Sequence, residues 1–154
     1  MSVPSEWQSM TGEWSGDNRL WLSPEEPVRE SATTARLALT ARGRFLSLRY
    51  TWAEGGKEQE GELLIGLDPK TGEVTGAWVD SWHNGDRLMP LAGAAREDGV
   101  LAAAGSYPAP PGPDWGWRIE LETTAADAFE MRMYNLTPEG EEAPAVSARY
   151  ARRG

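Results

Sequence analysis

Asp80 lies at even spacing from Val74, Trp78 and Trp82, which on a β-strand puts a carboxylate on the same face as two indoles and a valine. If that face is the interior, the acid must be paired, or protonated, or kept for a ligand, because an unpaired buried carboxylate costs several kcal/mol. Three readings are open. Asp80 is hydrogen-bonded structurally, to neighbouring backbone or to an inward arginine such as Arg44; or it anchors a ligand or moves a proton; or a bulge turns it outward. His83 follows immediately before Asn84-Gly85. Alternation places it on the opposite face, as a solvated group or as a rim residue that exchanges protons near neutrality.

Other catalytic chemistry finds little footing. Ser81 and Ser106 stand outside any Gly-x-Ser-x-Gly sequence. Glu58, Glu60 and Glu62 share one strand face, expected to be a wetted row. With one histidine and no cysteine, a transition-metal site has no donor spacing to rest on. No glycine-rich phosphate loop precedes a helix, and no cofactor is expected.

The aromatic residues suggest a cavity instead. Trp52, Trp78, Trp82, Trp115 and Trp117 are expected to converge on one interior, with Met131 on the same wall. Asp80, Tyr50, Tyr107 and Asn18 would be its polar groups. Mostly apolar walls with few polar atoms describe a small-molecule pocket. The segment Pro108-Ala109-Pro110-Pro111-Gly112-Pro113 would form a fixed shoulder at its mouth, or simply a stiff connection.

These side chains need strands to hold them. Nine breaks rich in Gly, Pro, Asn and Asp, from Ser23-Pro24-Glu25-Glu26-Pro27 to Pro138-Glu139-Gly140, divide the chain into ten segments of strand length. Leu46, Leu48, Tyr50 and Trp52 alternate with Ser47, Arg49 and Thr51. Trp115, Trp117, Ile119 and Leu121 alternate with Arg118, Glu120 and Glu122, and Phe129, Met131 and Met133 with Glu130 and Arg132. One wet and one apolar face belong to antiparallel sheets. Closure into a barrel removes exposed edges, although a two-sheet sandwich would show the same alternation. A barrel of about ten strands leaves room for a small ligand.

The only helix expected is short, Pro4 to Met10. Ser5 and Gln8 resemble a capping box, and Trp7 is the natural anchor of a lid over one end. Gly12-Glu13-Trp14-Ser15-Gly16 opens the first strand, with an indole able to plug one barrel end. Residues 1–154 read as one domain, with 1–11 as helix and lead-in.

A net charge of −9 disfavours nucleic acid as a partner. The first residues lack the regions of a signal peptide, and no apolar run reaches the roughly 20 residues of a membrane helix. The expectation is a cytoplasmic protein, without nucleic-acid or membrane partners, monomeric or weakly dimeric.

Gly12 to Gly16, the meander of about ten strands and Arg149-Tyr150-Ala151-Arg152 together resemble the calycin superfamily, which includes lipocalins, fatty-acid-binding proteins and nitrobindin-like barrels. In many of these an arginine near the last strand covers a tryptophan of the first. The resemblance therefore implies a structural clasp between Trp14 and Arg152 or Arg149. Parity favours Arg152, which shares a face with Val146, Ala148 and Tyr150. Trp78-Val79-Asp80-Ser81, Gly105-Ser106-Tyr107 and Tyr150-Ala151-Arg152 are similar to an uncharacterised bacterial branch of these barrels. Nitrobindin-like barrels hold haem through a late histidine, and here the single histidine is in mid-chain.

Together these observations predict an all-β, up-and-down barrel binding a small apolar or aromatic molecule. Two further readings stay open. One is an acid–base enzyme of cyclase or isomerase type using Asp80, with His83 or Tyr107. The other is a filled-barrel interaction module presenting Trp21, unless Trp21 packs under the N-terminal helix.

Overall fold

The computed structural model describes residues 3–153. A one-turn helix, α1 (Ser5–Gln8), precedes ten strands: β1 (Gly12–Leu20), β2 (Arg29–Thr40), β3 (Phe45–Glu54), β4 (Lys57–Leu67), β5 (Glu73–Asp80), β6 (Met89–Ala94), β7 (Leu101–Tyr107), β8 (Trp115–Ala125), β9 (Ala128–Leu136) and β10 (Glu142–Arg152). Each strand pairs antiparallel with its chain neighbours, and β1 pairs with β10 to close the barrel. Every break expected from turn chemistry falls at a connection. Barrel rather than sandwich is the outcome, and the β1–β10 seam is the reason. It runs from Trp14 opposite Arg152 to Leu20 opposite Val146.

That seam depends on Gly16. A Cβ there would stand 1.7 Å from the Arg149 carbonyl oxygen, so the two backbones approach more closely than any side chain allows.

With strands alternating up and down, the β1–β2, β3–β4, β5–β6, β7–β8 and β9–β10 connections gather at one end of the barrel, its upper end. The helix, the start of β1 and the end of β10 lie at the lower end. Trp7, Trp14, Phe129 and Tyr150 are buried there. Phe129 meets Trp7 and Trp14 edge-on, at 5.8 and 5.0 Å between centroids, and stacks on Tyr150 at 4.6 Å. The Tyr150 hydroxyl is bonded to that of Thr33. Burial raises the Tyr150 pKa far above its usual value.

α1 is shorter than expected, and no capping box forms. Pro4 takes the N-cap position without a side-chain bond, and Gln8 Nε2 donates instead to the Val3 carbonyl. The helix is held by tertiary contacts. Trp14 Nε1 donates to the Met10 carbonyl. The Arg152 guanidinium lies 4.4 Å over the Trp14 ring and donates to the carbonyls of Ser9 and Thr11. The clasp is thus Trp14 with Arg152.

Arg152→Ala removes the cation–π contact and both carbonyl bonds, so a loss of about 2 kcal/mol is expected from the urea midpoint. An unchanged midpoint would mean that Trp7 and the Trp14–Met10 bond hold the helix without Arg152.

On the outer wall Glu120 is buried beneath arginines from three segments. It accepts from Arg118 Nε at 2.8 Å, Arg96 Nη1 at 3.1 Å and Arg132 Nη2 at 3.3 Å. No described helix is long and apolar enough to cross a membrane.

Candidate functional site

β5 ends at Asp80, and its carboxylate organises the turn into residues 81–83. Oδ1 accepts from the backbone amides of Trp82 and His83 at 2.8 and 3.0 Å. An aspartate side chain capping the next amides is the chemistry that turns a chain out of a strand. Oδ2 accepts from the Tyr50 hydroxyl at 2.6 Å and from Trp52 Nε1 at 3.3 Å. Trp78 Nε1 in turn donates to the Tyr50 hydroxyl at 2.9 Å.

This geometry needs Gly61, which lies opposite both Tyr50 on β3 and Asp80 on β5. A Cβ at Gly61 would stand 2.2 Å from the Tyr50 hydroxyl, so the phenol crosses β4 where a side chain is missing.

Asp80 is therefore inward and buried, as alternation predicts, and its partners are backbone and aromatic donors rather than Arg44, which is exposed. Burial pushes its carboxyl pKa up. The His83 imidazole, the Tyr50 hydroxyl and the His83 amide together outweigh that, and the net shift is downward. For Tyr50, burial and then the adjacent Asp80 charge raise the pKa well above the ordinary phenol value. An ionised carboxylate with its lone pairs engaged is an anchor, and a poor proton donor.

The turn at Asp80 exchanges the expected places of two side chains. Alternation carried past the strand end puts Trp82 inside and His83 outside. In the structure Trp82 is 40% exposed, whereas the His83 side chain retains 12% exposure. The imidazole sits among Trp82, Trp117, Trp52 and Trp78, with centroids 4.8, 5.4, 5.5 and 5.7 Å away. Trp78 and Trp117 are themselves stacked, 10° from parallel. His83 Nδ1 faces Asp80 Oδ1 at 3.2 Å. Trp117 Nε1 is buried without a hydrogen-bond partner. The sequence signal for the His83 and Trp82 positions is Asp80 itself, a residue type that caps the amides two and three residues on.

The interior is fuller than strand count implies. Between Asn18, Tyr50, Trp52, Asp80, His83 and Met133 remains a cavity of about 10 Å³, the room of one water. Of the residues expected at the site, Tyr50, Trp52, Asp80 and His83 line this cavity, and Trp78 and Trp117 pack on the imidazole. Met131 is core, while its neighbour on the same face, Met133, reaches the cavity. Tyr107 is half-buried, packs edge-on against Trp117 and donates to Asn135 Oδ1. Burial raises its pKa. Trp115 is half-buried beside the exposed Pro108–Asp114 connection, and neither borders the cavity. Trp21 follows the upper end of β1, opposite to α1, so it does not pack under the helix.

A larger groove of about 750 Å³ lies on the outer wall of β2 to β5. Arg36, Arg49 and Arg87 face Glu60, Glu62 and Asp86 there, so it presents no single field to a charged ligand. Among the described residues no cluster of three or more His, Cys, Asp or Glu is placed to hold a metal ion.

The fold is similar to that in the crystal structure of Rv2717c from M. tuberculosis, with a TM-score of 0.62 and 13% identity over 99% of each chain. At that identity the likeness concerns the fold alone. No curated protein matches the chain. Residues 5–152 match the family model described as Protein of unknown function (DUF1579), and the chain belongs to that family.

Proposed function

We propose that the chain is a calycin-type binding barrel whose ligand, a small apolar or aromatic molecule, occupies the upper interior once the β5–β6 segment swings aside. The observation that carries this reading is the aromatic enclosure beside the Asp80 carboxylate, in which the Trp117 Nε1 donor is buried and unpaired. An unpaired buried donor costs about 1–3 kcal/mol. The roofed state is therefore penalised, and opening the roof or supplying an acceptor atom removes the penalty.

The roof is also lightly fastened. Ser81 is tied to β4, with its hydroxyl donating to Gln59 Oε1 and accepting from the Glu60 amide. Beyond it, the amides of Trp82 and His83 hold only Asp80 Oδ1. From Gly85 to Leu88 the segment is exposed, and Leu88 is 60% exposed. A segment with no backbone bond to a neighbouring strand beyond Ser81, among the described residues, can move without disturbing a strand.

Titration with a panel of small aromatic compounds is expected to quench tryptophan fluorescence saturably with one site per chain. Native mass spectrometry of freshly purified protein is expected to carry a small adduct. A bare mass together with no saturable quenching by any compound would contradict the reading. An acid–base role for Asp80 has no comparable support, since its lone pairs are engaged and its pKa is lowered.

A further inference from the structure

Resting on that reading, we infer that the site takes a small planar heteroaromatic base, of the imidazole or benzimidazole kind, and that His83 occupies it as an internal stand-in. The enclosure already holds such a ring. Of the four indoles with centroids 4.8 to 5.7 Å from the imidazole, Trp82 belongs to the moving segment, and Trp52, Trp78 and Trp117 remain as aromatic walls of the kind that hold organic cations. The charge is matched as well. Among the described residues lining the cavity are one carboxylate, Asp80, and no lysine or arginine. The other groups facing the ring are the Tyr50 phenol and the Asn18 amide, both neutral. Without His83 the cavity is therefore a negative point inside aromatic walls, which favours a cationic ring over a neutral or anionic one.

Departure of the β5–β6 segment vacates two things at once. The imidazole leaves together with the Trp82 indole, and the Trp82 and His83 amides leave Asp80 Oδ1, freeing its lone pairs for a ring N–H. An incoming base thus replaces both the packing and the hydrogen bonds of the segment that it displaces. Apparent affinity in the intact chain is reduced by the fraction of time that the stand-in is in place.

The test compares benzimidazole with indole, an isostere that stays neutral, by calorimetry in mildly acidic buffer, where benzimidazole is protonated and Asp80 is still ionised, on the intact protein and on His83→Ala. The variant is expected to bind benzimidazole about tenfold more tightly than the intact chain, and to prefer it over indole by about tenfold. Asp80→Asn in the His83→Ala background is expected to erase that preference. Equal or tighter binding of indole would overturn the inference while leaving the binding barrel intact. Binding of neither compound to either protein would overturn the inference, and a bare native mass with no quenching across the panel would overturn the binding barrel as well. If His83→Ala fails to fold, the intact chain decides, with benzimidazole above indole supporting the inference and the reverse overturning it.

Discussion

Gly16→Ala is expected to cost about 3–5 kcal/mol and to yield largely aggregated protein. Its Cβ would meet the Arg149 carbonyl oxygen at 1.7 Å and the Arg149 carbonyl carbon at 2.8 Å. Both are backbone atoms of the partner strand, so no rotamer change relieves the contact. β1 and β10 must separate around Gly16–Tyr150, and the pairs on either side, Trp14–Arg152 and Asn18–Ala148, lose register with them. This is the closing seam of the barrel. Opening it exposes two strand edges and unseats the Trp14–Arg152 clasp together with α1. The denaturation midpoint and the soluble fraction on expression report the effect. A soluble Gly16→Ala variant with an unchanged midpoint would mean that the seam is looser than the structure has it.

Asp80→Ala is the second large effect, and it acts on the site. The substitution leaves Trp52 Nε1 and the Tyr50 hydroxyl without their acceptor and releases the two amides that hold the roof. About 3 kcal/mol of stability should be lost. The pH dependence has a definite sign. The Asp80 pKa in the fold lies below its ordinary value of 3.8. Its contribution is therefore complete above about pH 4 and is lost as pH falls through the lowered value. Relative to the intact chain, Asp80→Ala should be less stable at neutrality, with the difference shrinking in strong acid. A difference that is constant down to about pH 2 would show that the loss comes from packing rather than from the ionised carboxylate. Amide exchange at Trp82 and His83 should accelerate in the variant, since their acceptor is gone.

Much of the architecture was legible in the sequence because turns and strand faces are local properties. Asn84-Gly85, Asp98-Gly99 and Asp68 to Gly72 mark connections through backbone conformations that few residues adopt. Leu46 to Trp52 and Trp117 to Leu121 show their inner face by period-two alternation. The inward position of Asp80 followed from the same rule.

The rest depended on what alternation cannot express. At Asp80 the side chain caps the next two amides, so the period ends there, and the places of Trp82 and His83 exchange. The volume left inside depends on how Trp52, Trp78, Trp117 and His83 pack together, which strand number does not fix. Glu120 looked like an ordinary outward residue. It is buried because cross-strand register and the β6–β7 connection bring Arg132, Arg118 and Arg96 over it. The Trp14–Arg152 clasp was legible through the resemblance to calycins, since nothing in the separation of these residues along the chain points to contact.

On the reading proposed, a ligand enters by displacing His83 from its aromatic enclosure. The chain has a single histidine, so its imidazole gives one set of resonances in a spectrum of the intact protein. Four indole rings around it should place those resonances well away from solvent-exposed values. Titration with benzimidazole is predicted to move them to the positions of an exposed histidine, with the same saturation curve as the tryptophan quenching. Saturable quenching that leaves the His83 resonances unmoved would contradict the account, because the ligand would then be bound elsewhere.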